Sequence, residues 1–247
     1  MKTINVTIWN EFRHEKTDPA CKAVYPAGLH ACIKSFLDGN EDMNVRLAAL
    51  DDPDNGLPDE ILNDTDVLIW WGHMAHHEVP DALVEKIRER VYLGKMGFIA
   101  LHSAHKSKPF RAILGTNGNL SWGREQKEIV WTLLPAHEIA AGIPDHFLLP
   151  EEELYSEPFY IPQPDELIFC GWFEDGHVMR AGATFYRGAG KIFYLQPGHE
   201  TCRAYYDPNM QRIITNAVRW ARPNEFGYQI KDGCPQLLHK TVDEFNN

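Results

Sequence analysis

Apolar residues recur along the chain in two spacings, which predict strands that alternate with helices over the first hundred residues. Residues 4–9 alternate apolar and polar side chains, as a strand with one buried face does. Residues 67–71 and 97–101 are continuously apolar, as in strands covered on both faces. After Pro26 and Pro80, apolar residues return every three or four positions and predict helices. This alternation predicts an α/β fold with a mainly parallel, doubly wound sheet and helices on both faces.

The second half of the chain has a different pattern, in which strand-like runs follow each other at short intervals. They are residues 129–134, 167–173, 178–185 and 191–195, and we expect some of them to pair antiparallel. A last amphipathic helix is predicted after Asp207-Pro208. No linker divides the chain, so residues 1–222 are predicted to form a single domain. The polar tail 223–247 is expected to pack on that domain or on a neighbouring subunit.

Charge and composition exclude several classes of protein. The chain has 24 Lys and Arg against 35 Asp and Glu, and the net charge of −11 argues against a nucleic-acid partner. No apolar run approaches the roughly 20 residues that span a bilayer, so no membrane partner is expected. The first residues also lack the apolar stretch of a signal peptide. Five cysteines without a CxxC pair favour free thiols in a reducing cytoplasm.

Histidine is the residue type whose placement points to a site. Four of the predicted strands are followed at their carboxyl ends by segments that contain histidine, among them His14, His73, His102 and His199. Ligands of open α/β sheets bind beyond the carboxyl ends of the strands. The sequence therefore predicts that these side chains share one polar site.

Two kinds of chemistry fit such a cluster. Neutral imidazoles bind zinc and other divalent transition metals, and a catalytic zinc takes three protein ligands and a water. On that interpretation the ligands are His73, His102 and His199, with zinc the expected ion. Without a metal, the same side chains would act as acids, bases and hydrogen-bond donors, because the ordinary pKa of histidine suits proton transfer near neutral pH. The sequence leaves both interpretations open, and no motif suggests a nucleotide cofactor.

Seven short motifs occur in series. They are Trp9-Asn10-Glu11-Phe12-Arg13-His14-Glu15, Tyr25-Pro26-x-Gly28-x-His30, Trp70-Trp71-Gly72-His73, Leu101-His102-Ser103-x-His105, Gly115-Thr116, Glu157-Pro158-Phe159 and Pro197-Gly198-His199-Glu200. Together they resemble the trehalose-utilisation (ThuA-like) family over residues 4–222. That family is similar to the class I glutamine amidotransferases, so the resemblance implies a flavodoxin-like sheet.

The resemblance also shows where this sequence departs from the amidotransferases. Those enzymes place a nucleophilic cysteine on a tight turn between a strand and a helix, and the matching position here is His102. Their later histidine and glutamate are matched by His199 and Glu200. No cysteine lies within 60 residues of His102, so we do not expect a glutaminase. Ser103 is a candidate substitute nucleophile, although it lacks a G-x-S-x-G context.

The function that the resemblance implies is the catabolism of disaccharides or modified sugars, including 3-keto glycosides. Cleavage or isomerisation of a 3-keto sugar needs a base for the C–H beside the carbonyl and an electrophile for the carbonyl oxygen. We therefore expect a lyase, hydrolase or isomerase whose catalytic residues are His102, His199, Glu200 and Ser103. The alternative is a non-catalytic sugar-binding protein that has lost the amidotransferase nucleophile.

The predicted substrate contacts surround the same strand ends. They are Trp9, Glu11, His14, Tyr25, Trp71, His105 and Arg124. The aromatic rings could stack on a sugar, and Trp70 and Trp122 are further candidates. For one of the pair Trp70 and Trp71, packing within the sheet is the alternative, because neighbouring strand residues face opposite sides. A homo-oligomer is expected.

Overall fold

The computed structural model describes residues 3–223, and within that range nine strands form one sheet. The strands are β1 (Ile4–Asn10), β2 (Met43–Ala49), β3 (Val67–Trp71), β4 (Gly97–Leu101), β5 (Ser121–Thr132), β6 (His146–Ser156), β7 (Glu166–Phe173), β8 (Val178–Arg187) and β9 (Gly190–Leu195). The helices are α1 (His14–Thr17), α2 (Pro19–Val24), α3 (Leu29–Leu37), α4 (Asp59–Asp64), α5 (Asp81–Tyr92), α6 (Lys108–Leu114) and α7 (Pro208–Ala221).

The sheet joins a parallel half to an antiparallel half. Its strand order is β2-β1-β3-β4-β9-β8-β7-β5-β6. The pairs from β2 to β9 are parallel, because helices carry the chain back between successive strands. The pairs from β9 to β6 are antiparallel. The predicted α/β fold is confirmed, as is the antiparallel pairing expected in the second half.

Helices cover both faces of the sheet and enclose two apolar cores. On one face, α3 and α7 pack on alternate residues of the central strands, such as Ile69 and Trp71 of β3. On the other face, α5 and α6 pack on the intervening residues Leu68 and Trp70. A continuously apolar strand is thus buried on both sides, since consecutive side chains point to opposite faces.

Several elements were not apparent from the sequence. The segment after β1 contains the short helices α1 and α2, for which the sequence has no clear periodic signal, and the same holds for α4 and α6. The largest omission is β6, which contains Pro150 and a run of three glutamates. This strand lies at the edge of the sheet, where a proline that cannot donate to a ladder is tolerated.

The remaining sequence predictions concern a membrane span, the C-terminal tail, self-association and cellular location. Among the described helices, none combines the length and apolar character needed to cross a bilayer. The predicted packing of the tail falls, from residue 224 onward, outside the described residues. Self-association and a cytoplasmic location stay predictions from the sequence.

Candidate active site

Side chains from four strand ends lie together at one edge of the sheet. They are Glu11 and His14 after β1, His73 after β3, His102 after β4, and His199 and Glu200 after β9. The Glu200 carboxylate is central, since its Oε1 lies 2.9 Å from His73 Nδ1 and 3.4 Å from His14 Nδ1. Its other oxygen lies 3.5 Å from His199 Nε2. The fold therefore brings distant parts of the sequence into one cluster.

His102 occupies the sharp turn after β4. Its φ of 48° lies in the left-handed region, which few residues other than glycine adopt. Its Nδ1 lies 2.8 Å from the carbonyl oxygen of Gln196 and must be the donor, because a carbonyl only accepts. Its other nitrogen, Nε2, lies 3.1 Å from Glu153 Oε2. The ring also stacks on Tyr155, with centroids 4.5 Å apart. Both nitrogens of this buried imidazole are therefore already engaged.

The two neighbouring imidazoles His102 and His199 differ in proton affinity. Burial alone would lower the pKa of His102, but the hydrogen bond to Glu153 and the nearby carboxylates raise it above its ordinary value. Burial lowers the pKa of His199, and the charge of His102 lowers it further. Their ring centroids are 5.3 Å apart. The site thus places two neighbouring imidazoles of different basicity side by side, with His102 the more basic.

Three buried atoms beside Glu200 lack hydrogen-bond partners within the described chain. They are His14 Nδ1, His73 Nδ1 and Glu200 Oε2. The two nitrogens approach Glu200 Oε1 closely but without hydrogen-bond alignment. Burial would raise the pKa of Glu200, but His73 and His199 lower it to about 2. An ionised carboxylate with two converging imidazole nitrogens is a ligand set that suits a divalent cation.

Two groups of candidate ligands share Glu200. In one group Glu200 is joined by His14 and His73, and in the other by His102 and His199, with ligand atoms within 4.8 Å of one another in each group. The ligand set predicted from the sequence combines members of both. In the first group both histidines have a buried Nδ1 without a hydrogen-bond partner among the described residues, whereas in the second group both nitrogens of His102 are held by Gln196 and Glu153.

Two buried carboxylates hold the loops that carry the site histidines. Glu11 accepts the backbone N–H groups of His73, Met74 and Ala75 at 2.8 to 3.0 Å. Both of its oxygens are thereby used within the protein, and the residue is only 1% exposed. The structure places Glu11 beneath the His73 loop, where it orients that loop.

Glu152 has the same relationship to the loop after β9. It accepts N–H groups from Glu153, Gly198 and His199 at 2.9 to 3.0 Å. Burial raises its pKa to about 7, although His102 and these hydrogen bonds oppose the shift. The adjacent Glu128 is fully buried, and burial together with the charge of Glu152 raises its pKa well above the ordinary value.

A cavity of about 410 Å³ opens beside the histidine cluster. Its lining residues are His73, His76, Ser103, His105, Lys106, Asn119, Leu120, Trp122, Glu153 and Tyr155. From the predicted site, His73, Ser103 and His105 line this cavity, and His102 is hydrogen-bonded to Glu153, which also lines it. Arg124 is exposed on β5, outside this lining.

The three aromatic residues predicted to stack on a sugar are packed inside the protein. Trp9, Tyr25 and Trp71 are each 1% exposed. Trp9 stacks on Trp70 at 3.8 Å and donates from Nε1 to a backbone carbonyl. The Trp71 indole donates to the carbonyl of Gly198, and Tyr25 Oη to that of Cys202. Buried polar aromatic groups find such partners, so these rings support the site from behind.

Three residues at the centre of the site, Glu152, Glu153 and Tyr155, were missed from the sequence. All three lie on β6, the strand that Pro150 and the charged run concealed. The available signal was a run of three glutamates that leads into Leu154 and Tyr155. Trp122, named only as a further aromatic candidate, is 73% exposed and lines the cavity.

Comparisons with known structures support the fold. A ThuA-like protein from Parabacteroides merdae superposes with a TM-score of 0.69 at 15% identity, over 89% of this chain and 90% of that one. A ThuA-like protein from Bacteroides uniformis gives a TM-score of 0.62 at 16% identity, over 89% and 91%. A glutamine amidotransferase from Thermotoga maritima gives 0.54 at 12% identity, over 90% and 99%. The expected similarity to the amidotransferase fold is confirmed.

The family assignment rests on the sequence match. No curated protein matches this chain. The profile of the trehalose-utilisation family matches residues 5–221, which is most of the chain. That match confirms the resemblance drawn from the seven motifs and supports a role related to sugar metabolism. The chain belongs to the trehalose-utilisation (ThuA) family.

Proposed function

We propose that this chain is an enzyme of sugar catabolism that acts on a disaccharide or a keto-glycoside through histidine acid/base chemistry. One observation carries the proposal, the position of Glu153 between two imidazoles. Its Oε2 lies 3.1 Å from His102 Nε2 and 3.7 Å from His199 Nε2. The pKa is raised for His102 and lowered for His199, so the two rings suit different roles: His102 favours its proton, and His199 favours the neutral form that can accept one.

Glu153 is the member of this group that lines the cavity. Burial would raise its pKa, but the hydrogen bond from His102 lowers it overall, so the carboxylate is ionised. In the proposed reaction, Glu153 takes the proton from the carbon beside the sugar carbonyl and passes it to His199 Nε2. The C–H electron pair moves to the carbonyl oxygen, where the enolate that forms needs a proton or a positive charge. His73 lines the same cavity and supplies that donor. As the carbonyl re-forms, the enolate expels the glycosidic oxygen, and the proton on His199 passes to this leaving group; the C–H and C–O bonds broken are thus balanced by a C=C and an O–H bond.

A divalent cation, with zinc the expected ion, fits the group formed by His14, His73 and Glu200. The support is the set of buried, unpartnered atoms that these residues direct at one another within the described chain. A bound zinc ion would supply a Lewis acid for the carbonyl oxygen. Glu11, by holding the backbone of His73, would fix one of its ligands in place.

The proposal is tested by incubating the protein with 3-keto-disaccharides and their parent sugars and identifying products by mass spectrometry. We expect product from a keto sugar, and a loss of at least about 100-fold in rate for Glu153→Gln. The exposed neighbour substitution Glu151→Gln is the matched control and keeps the parent rate. Saturable sugar binding without product would instead support the alternative of a non-catalytic sugar-binding protein.

A further inference from the structure

The hydroxyl of Ser103 is a buried polar group that the proposed reaction does not use. Ser103 follows His102 directly, is 2% exposed and lines the cavity. Its Oγ has no hydrogen-bond partner among the described residues. Buried hydroxyls are ordinarily paired, so an unpaired one on a cavity wall points to a ligand group that completes it.

Two neutral imidazoles line the same cavity. Burial lowers the pKa of His76 to about 4 and that of His105 to about 3. The Nδ1–H of His105 donates to the carbonyl of Gly118 at 2.6 Å, so its Nε2 is an acceptor. A neutral imidazole offers one donor and one acceptor, which matches the hydroxyl groups of a sugar.

The opposite wall of the cavity is held in place by the backbone of the loop before β5. The N–H of Tyr160 donates to the carbonyl of Asn119 at 2.8 Å, and the N–H of Gly118 donates to Thr116 Oγ1 at 3.1 Å. Beyond this loop, Trp122 presents an indole that is 73% exposed. An exposed aromatic ring beside hydroxyl-binding groups is suited to stack on the apolar face of a pyranose.

We propose that Trp122, Ser103 and His105 form a subsite for the ring of a disaccharide that does not react. Trp122 stacks on that ring, while Ser103 Oγ and His105 Nε2 bind its hydroxyls. The inference rests on the proposed function, in which the reacting ring lies at Glu153. The cavity of about 410 Å³ falls in the range of small-molecule sites, roughly 300–1,000 Å³. Ser103 is thereby assigned to binding, not to nucleophilic attack.

Calorimetric titration with trehalose, and with glucose as the single-ring probe, tests this subsite. We expect Trp122→Ala to weaken trehalose binding about tenfold and glucose binding far less, because trehalose has to occupy both positions, whereas glucose can also bind at the position of the reacting ring beside Glu153. Ser103→Ala should weaken trehalose binding several-fold, because it removes a hydroxyl that binds the ring that does not react. Trp172→Ala, which removes another exposed indole on β7, is the matched control and leaves both affinities unchanged.

Three outcomes overturn the subsite: equal trehalose affinity for Trp122→Ala and the parent, an equal loss for glucose, or no sugar binding by the parent. Affinity and turnover are scored separately. A sugar that binds through Trp122 but is never converted would contradict the proposed reaction and leave the subsite standing. Turnover that is indifferent to Trp122, with trehalose affinity unchanged, would remove the subsite and leave the reaction standing.

Discussion

His102 hydrogen-bonds Glu153 although four strands separate β4 from β6 in the order of the sheet. Their side chains meet with Nε2 3.1 Å from Oε2. The β5–β6 hairpin has two register shifts, between Trp122 and Glu125 and between Gln126 and Glu128. Bulges of this kind bend and twist strands. The half of the hairpin that is not paired with β7 consequently lies over the strand ends, where Glu153 and Tyr155 line the cavity.

Replacing the imidazoles of the cluster should abolish turnover and preserve the fold. We expect His102→Asn and His199→Asn to lose at least about 100-fold in rate, since His102 holds Glu153 by a hydrogen bond and His199 takes the proton from it. Asparagine suits the left-handed backbone at position 102, so the far-UV circular dichroism should match the parent. The control is His177→Asn, at an exposed histidine of the β7–β8 turn. Parent-like rates in both site variants would contradict the assignment.

Zinc binding distinguishes the two candidate ligand groups. After dialysis against a chelator, calorimetric titration with zinc should show one site in the parent. His14→Ala and His73→Ala should each weaken it at least about tenfold, because each removes a free nitrogen. His102→Asn should retain it, since both His102 nitrogens are hydrogen-bonded. Loss of zinc binding in His73→Ala and His102→Asn but not in His14→Ala would instead restore the ligand set expected from the sequence.

Glu11 should affect the site through the backbone that it holds. In Glu11→Gln, the amide offers one accepting oxygen in place of two, so at least one N–H of the His73 loop loses its partner. We expect the free energy of unfolding to fall by about 1–3 kcal/mol and zinc affinity to drop as His73 loosens. Urea denaturation and zinc titration measure the two effects. Glu60→Gln, at an exposed glutamate, should change neither.

Replacing Gly198 should destabilise the fold for two separable reasons, its positive φ and its close approach to Tyr205. Its φ is +140°, and an added Cβ would lie 2.0 Å from Tyr205 Oη. Gly176 also has a positive φ, of +93°, but an added Cβ there would meet no atom within 4 Å. We expect Gly176→Ala to reduce the free energy of unfolding by about 1–2 kcal/mol, and Gly198→Ala by clearly more. Equal losses in urea denaturation would mean that the contact with Tyr205 carries no cost.

The buried Glu128 should make stability fall as pH rises. Its pKa is raised above the ordinary value of 4.5, so above that pH the unfolded chain has lost the proton that the folded chain keeps. The folded state then binds more protons, and its stability falls by at most about 1.4 kcal/mol per pH unit until the folded pKa is passed. Glu128→Gln should show a flatter dependence between pH 5 and 7.

The measurement is the free energy of unfolding in urea at several pH values. Glu151→Gln, at an exposed glutamate of the neighbouring strand, is the control and should follow the parent. Parallel curves for Glu128→Gln and the parent would mean that Glu128 does not hold its proton in the folded protein.

Much of the parallel half of the sheet could be predicted because its signals are local. The apolar runs of β3 and β4 and the periodic helices α3 and α5 appear where expected. The histidines at strand ends also lie together, since parallel strands finish at one edge. By contrast, β6 lacks a local signal, because it contains Pro150 and a run of glutamates. A strand tolerates these residues here only because β6 lies at the edge of the sheet and is buried over the site.

The sequence by itself determined the alternation of strands and helices, the strand ends that carry histidine and, through seven motifs, the family. Only the tertiary structure decided which atoms are available for chemistry. Burial and hydrogen bonding depend on neighbours that are distant in sequence. The spacing of residues along the chain therefore could not show that Trp9 is packed in the interior or that both nitrogens of His102 are hydrogen-bonded. For the same reason Glu153 became visible as the group facing the cavity only when β6 was placed over the strand ends.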